Sequence, residues 1–137
     1  MTLNERMTAL KAGLAAAMPA RVVGRDLKDF GDRSKADIAA GVFTLVSRGE
    51  GGFKNYNGRE AMDGKHRMLL VGQIELGEDA APSAVEDAEF AMVEDVKGFM
   101  RALPPALCSL TMTGFTQSGQ VDAPYGWVAI DMEMMDE

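Results

Sequence analysis

The sequence predicts an α+β fold: a mainly antiparallel sheet of four or five strands, two helices packed on one of its faces, and a long flexible hairpin arm. Three observations predict it. Two segments repeat apolar residues at helical spacing, several others alternate apolar and polar residues with a period of two, and a glycine-rich stretch separates two of the alternating segments. The length of 137 residues suffices for one substantial core and is short for two, so residues 1–137 are read as a single domain.

The first helix is read from Leu3 to Met18. Leu3, Met7, Leu10, Leu14 and Met18 form one apolar stripe, Thr2 and Glu5 fit a capping box, and Pro19 stops the segment. Ala9 to Ala20 has the small apolar character of an export leader, but Lys11 interrupts it and no basic leader precedes it. Arg21 to Gly24 reads as a short strand, and Arg25 to Lys35 as a charged connector containing Phe30 and Gly31. Asp26, Asp29 and Asp32 lie close together there, but the glycine turn and terminal glutamate of a calcium loop are missing and Arg25, Lys28, Arg33 and Lys35 offset them. A solvated connector is the expected structure.

Val42 to Ser47 is β-branched and aromatic, as in a buried strand. Lys65 to Leu76 makes the next, with His66, Met68, Leu70, Gly72, Ile74 and Leu76 on one face and Arg67, Gln73 and Glu75 on the other. Between them, residues 48–64 carry Gly49, Gly51, Gly52, Gly58 and Gly64 with Phe53 and Tyr56. These glycines lack phosphate-loop spacing and no helix start follows them, so the stretch is read as a flexible arm on a β-hairpin.

After Pro82, Ser83 and Glu86 suggest a second capping box. Val85, Ala88, Met92, Val96, Phe99 and Leu103 then form a core-facing stripe ended by Pro104 and Pro105. Glu86, Asp87, Glu89, Glu94 and Asp95 precede Lys97 and Arg101, an order that suits the helix dipole and reads as a solvated acidic face. Two strands follow: Cys108, Leu110, Met112 and Gly114 alternate with Ser109, Thr111 and Thr113, and Val128, Ile130, Met132 and Met134 alternate with Trp127, Ala129, Asp131 and Glu133. The turn residues from Gln117 to Tyr125 make them a hairpin, with Cys108 on its buried side. The eleven methionines serve as adaptable packing.

One cysteine and one histidine, His66, leave no disulfide, no multi-cysteine metal site and little for histidine-based catalysis. No cofactor, metal site or catalytic residue is expected, and the lone thiol fits a reducing compartment. The net charge of −7 argues against nucleic-acid and anionic-membrane partners, and no apolar run is long enough to span a bilayer. The charge is unevenly divided. Residues 1–67 hold 12 of the 14 basic and 8 of the 21 acidic side chains, net +4, while residues 68–137 are net −11. Such polarity suits head-to-tail self-association.

The order of features resembles the tail terminator, or minor tail protein U, family of lambda-type long-tailed bacteriophages. The helix through Met18, the strands GVFTLVSRGEG (Gly41–Gly51) and KHRMLLVGQIEL (Lys65–Leu76), the acidic helix SAVEDAEFAMVEDVKGFMRAL (Ser83–Leu103), and the strands SLTMTGFTQSG (Ser109–Gly119) and YGWVAIDMEM (Tyr125–Met134) carry the resemblance over nearly the whole chain. It implies a non-enzymatic virion protein, assembled in the bacterial host cytoplasm. As a hexameric ring, formed in solution or on the tail, it would cap the tail tube, stop elongation and present a surface to a head–tail joining protein. The family supplies no residue motif, so the candidate contacts come from this sequence: Arg48, Phe53, Lys54, Tyr56 and Arg59 on the arm, facing Glu86, Glu89 or Asp95 on a neighbour's acidic helix. Two other readings compete: a small-molecule binding or regulatory α+β module, and another phage neck or head–tail joining protein.

Overall fold

A computed structural model describes residues 1–53 and 62–135. The elements are α1 (Leu3–Ala17), β1 (Val22–Gly24), α2 (Lys35–Ala40), β2 (Val42–Gly51), β3 (Lys65–Glu75), α3 (Pro82–Arg101), β4 (Thr111–Gln117) and β5 (Tyr125–Met135). The strands form one sheet in the order β1-β2-β3-β5-β4. This is the expected α+β class, with two corrections: the sheet is mixed, because β1 runs parallel to β2, and there are three α-helices among the described residues, not two.

Both corrections have one cause. Parallel neighbours cannot be joined by a tight turn, so the chain needs a crossover between Gly24 and Val42. The charged connector is that crossover, holding a 3-10 turn at Phe30–Asp32 and the short helix α2. Ser34 caps α2 by accepting the Asp37 N–H at 3.2 Å, and Gly41 ends it at φ +92°, where a side chain would be strained. Arg33 pins the crossover to the sheet, donating to Gln73 Oε1 at 2.8 Å and to Thr44 Oγ1 at 3.0 Å, while Gln73 Nε2 donates to the Lys28 carbonyl at 3.0 Å. Thr44 and Gln73 are buried by it, on the face opposite the main core.

The other sheet face carries the core. Phe43 and Leu45 of β2, Met68, Leu70 and Ile74 of β3, and Val128, Ile130, Met132 and Met134 of β5 meet Met7, Leu10, Leu14 and Met18 from α1 and Met92, Val93, Val96 and Phe99 from α3. The two long helices therefore cover one face, as expected. Thr2 and Glu5 form the reciprocal capping box of α1. At α3 the expected box is absent: Ala81 is the cap, Pro82 opens the helix and Ser83 lies inside it. Gly72 permits close packing around it, since a Cβ there would lie 2.7 Å from Val128 Cγ2 on the neighbouring strand and 3.1 Å from Met92 Cε on α3.

Cys108 is exposed, contrary to the buried strand position expected. The segment after α3 turns through a 3-10 helix at Pro105–Leu107, with Cys108 at its end, and β4 starts only at Thr111. Leu107 and Leu110 are the residues this turn buries. A bulge between Met112 and Gly114 then shifts the alternation, so that Phe115 packs against the core.

Candidate functional site

The arm candidates sit at the end of the β2–β3 hairpin. Pairing continues past Ser47 through a bulge to Gly49↔Arg67, Glu50↔His66 and Gly51↔Lys65, so the strands extend further into the expected arm than residue 48. Phe53 follows, 38% exposed. Lys54, Tyr56 and Arg59 lie outside the described residues. Arg48 does not project toward a helix; its Nη1 lies 3.5 Å from Asp131 on the sheet face that the core leaves open.

That open face is the surface which sequence reasoning missed. Register places Val46 beside Leu69, Thr44 beside Val71, and Val71 beside Ala129, so Val46, Leu69, Val71 and Ala129 form a half-buried aliphatic patch. Two ion pairs border it, Arg48–Asp131 and Lys65–Glu133, both at 3.5 Å. Partly exposed pairs of this kind contribute at most about 1 kcal/mol each, so their geometry orients side chains more than it stabilises the fold. The signal was present in the sequence: Leu69 and Val71 interrupt the polar face of an otherwise alternating strand.

The arm's base holds a polar group on the inner face. The Ser47 hydroxyl and His66 Nε2 are 2.8 Å apart, Glu50 Oε2 accepts the Gly64 N–H at 3.3 Å, and the buried Arg6 brings Nη1 to 4.0 Å from the same Glu50 oxygen. Arg6 falls four residues before Leu10 on the α1 stripe, which is why the helix turns it inward.

The three acidic candidates have three different environments. Glu86 sits near the start of α3 and accepts a hydrogen bond from Gln120 Nε2 at 2.8 Å. Asp95 pairs with Arg21 Nε at 2.9 Å, and the same guanidinium donates to the Ala40 carbonyl, tying α3 to the start of β1 and the end of α2. Glu89 is a correction: it is 1% exposed and faces no neighbour. Its carboxylate accepts from the Ser118 hydroxyl, from Gln117 Nε2 at 3.2 Å and from the Trp127 backbone N–H at 3.0 Å. Glu89 lies four residues after Val85 and three before Met92, so the apolar stripe itself carries it into the interior, where the donors compensate for burial.

The uneven charge of the chain is partly offset within the fold, where Arg21–Asp95, Arg48–Asp131 and Lys65–Glu133 pair one half of the sequence with the other. Strands β1 and β2 belong to the net-positive half, β5 and β4 to the net-negative half, and β3 lies between them. Near β1 in sequence, Arg21, Arg25, Lys28, Arg33 and Lys35 are interleaved with Asp26, Asp29, Asp32 and Asp37, whereas residues 104–135 contain Asp122, Asp131 and Glu133 and no lysine or arginine.

Between the end of α1 and α3 lies a cleft of about 520 Å³ lined by Met18, Arg21, Asp95, Gly98 and Phe99. Among the described residues, no three histidine, cysteine, aspartate or glutamate side chains converge as a metal site, Asp26, Asp29 and Asp32 included. Nor is any helix of the described residues long and apolar enough to cross a membrane. Compared with known proteins, no family model matches this chain and no curated protein sequence does.

Proposed function

We propose that this chain is a structural virion protein of the tail terminator type, which assembles head to tail into a hexameric ring, caps a tail tube and readies it for joining to a head. The observation that carries the reading is the division of charge along the chain, net +4 over residues 1–67 and −11 over residues 68–137. A relatively basic half and a strongly acidic half favour a heterologous contact, in which each copy presents different surfaces to its two neighbours. Such contacts close into rings when the rotation between copies fits. The tube protein and the head–tail joining protein are its further partners, and the virion tail is its place of action.

The arm adds a second contact in this reading, with Arg48, Phe53, Lys54, Tyr56 and Arg59 meeting the exposed acidic side of a neighbour's α3 at Glu86 and Asp95; buried Glu89 drops out of that set. Sedimentation over a range of protein and salt concentrations tests the assembly. A particle of six times the 14.7 kDa chain mass, dissociating as salt rises, is the expected result. Charge reversal at Lys54 and Arg59 together is expected to abolish it. A mass of one chain under every condition would refute assembly in solution, leave a ring that forms only on the tail, and make a small-molecule module, with the cleft between α1 and α3 as its ligand site, an equal contender.

A further inference from the structure

We infer that copies join in solution as knob and hole: the cleft between the end of α1 and α3 receives the arm tip of the next copy, with Phe53 of one chain seated against Met18 and Phe99 of its neighbour. This rests on the head-to-tail reading above and names the contact that joins the copies.

The cleft asks for an apolar occupant. Met18 and Phe99 form its buried floor. At its rim Arg21 Nε donates to Asp95 and Nη1 to the Ala40 carbonyl, both at 2.9 Å, so these two charges satisfy each other.

Gly98 holds the cleft open. It lies inside α3, where glycine is a poor helix former, and a Cβ at this position would meet no atom within 4 Å. Gly13, the glycine of α1, is the contrast: a Cβ there would lie 3.2 Å from Leu107 Cδ1 and 3.3 Å from Phe99 Cε1. Internal packing explains Gly13 and does not explain Gly98. A group approaching the α3 backbone from outside the chain does.

That group is present at the other end of the same molecule. Phe53 and Met62 are the exposed apolar residues on the two sides of the arm. The cleft is tied to the start of β2 through the Ala40 carbonyl and through the Val22 N–H, which donates to the Gly41 carbonyl at 3.0 Å; the arm leaves from the far end of β2 at Gly51. Ten residues of strand put these ends about 30 Å apart. A chain therefore keeps its own arm tip away from its own cleft, while copies set head to tail bring one to the other. An apolar knob and a hole at different places on one molecule make a heterologous contact. Asp95, already assigned to the arm contact, stands on the rim of this cleft, so the two surfaces are continuous.

Two variants of the full chain test this, with mass read by sedimentation over a range of concentrations. Gly98→Leu fills the hole and Phe53→Ala removes the knob. Each is expected to raise the concentration needed for assembly by at least about tenfold, the loss typical of a central aromatic contact. Gly98→Leu should melt no lower than the unmodified chain, since leucine is the better helix former and the added side chain meets open space. Phe90→Ala, which removes an exposed ring of α3 away from the cleft, should assemble as before. Because Phe53→Ala keeps its hole and Gly98→Leu keeps its knob, an equimolar mixture of the two should give a two-chain particle and nothing larger. A mixture that stays at single-chain mass, or that assembles to full size, overturns the knob-and-hole contact. If the unmodified chain and Gly98→Leu assemble alike, the contact is overturned and the ring reading stands. A single-chain mass for the unmodified chain at every concentration overturns the contact together with assembly in solution.

Discussion

Replacing Glu89 by alanine is expected to cost the domain stability, not assembly, and the size of the loss follows from its three donors. Hydrogen bonds to a charged group contribute about 1.5–3 kcal/mol each, set against the cost of holding the carboxylate out of water. The Trp127 N–H is fixed in the backbone at the start of β5 and cannot turn to a new acceptor, so it bears the full cost of isolation. The Ser118 hydroxyl rotates freely and the Gln117 amide is half-buried, so each recovers part of its loss. Glu89→Ala is accordingly expected to lower stability by about 3–5 kcal/mol. For a domain of this length that corresponds to a fall in Tm of about 10–20 °C. Glu89→Gln keeps one oxygen for Trp127 and an amide that can pair with Gln117 after a flip, so its loss is expected near 1–2 kcal/mol. Urea unfolding followed by the fluorescence of Trp127, the single tryptophan, reads both variants. A loss under about 1 kcal/mol for Glu89→Ala at unchanged m-value would refute the assignment of this carboxylate as an internal acceptor.

Other consequences can be measured on the same protein. Arg33→Ala frees the crossover from the sheet and strands Thr44 and Gln73, so a loss of about 2–4 kcal/mol should accompany new protease cleavage between Arg25 and Asp37. In Gly126→Ala the added Cβ would lie 2.8 Å from Val85 Cγ1 and 2.9 Å from Glu89 Oε2. Thermal melts should show that variant about 1–3 kcal/mol less stable, since neither neighbour is free to retreat. Cys108 should react with a thiol reagent in the native state at the rate of an exposed thiol, leaving the circular dichroism spectrum unchanged; reaction only on denaturation would contradict its exposure.

The inner face of the sheet was legible because strong alternation and a strong helical stripe are each hard to satisfy in any other way: Met68, Leu70 and Ile74 with Val85, Met92, Val96 and Phe99 all lie where their spacing puts them. Less legible were features whose cause lies far along the chain. Parallel pairing of β1 to β2 is a topological fact that three residues cannot announce, although Ser34, Asp37 and Gly41 do carry the marks of a short helix. The position of Glu89 on the buried stripe was visible; its donors at Gln117, Ser118 and Trp127 were not, being 28 to 38 residues away. Cys108 was misplaced because the alternation from Cys108 to Gly114 runs on through a 3-10 turn, where period two has no structural meaning. Of the candidate assembly residues, the charges were legible, but the pairing of Arg48 with Asp131 and of Asp95 with Arg21 was not, since those partners lie far along the chain.

The packing of α1 has a consequence during synthesis. Its stripe of Met7, Leu10, Leu14 and Met18 is buried partly against α3, and Gly13 is seated so tightly that a Cβ there would lie 3.2 Å from Leu107 Cδ1 and 3.3 Å from Phe99 Cε1. None of those covering residues exists when the helix leaves the ribosome. At about 5–20 residues per second, the roughly eighty residues that separate Met18 from Phe99 take about 4–16 s to make, and for that interval the part of the stripe that α3 covers stays bare. The nascent chain therefore presents part of this apolar stripe to its surroundings until the second long helix emerges and covers it.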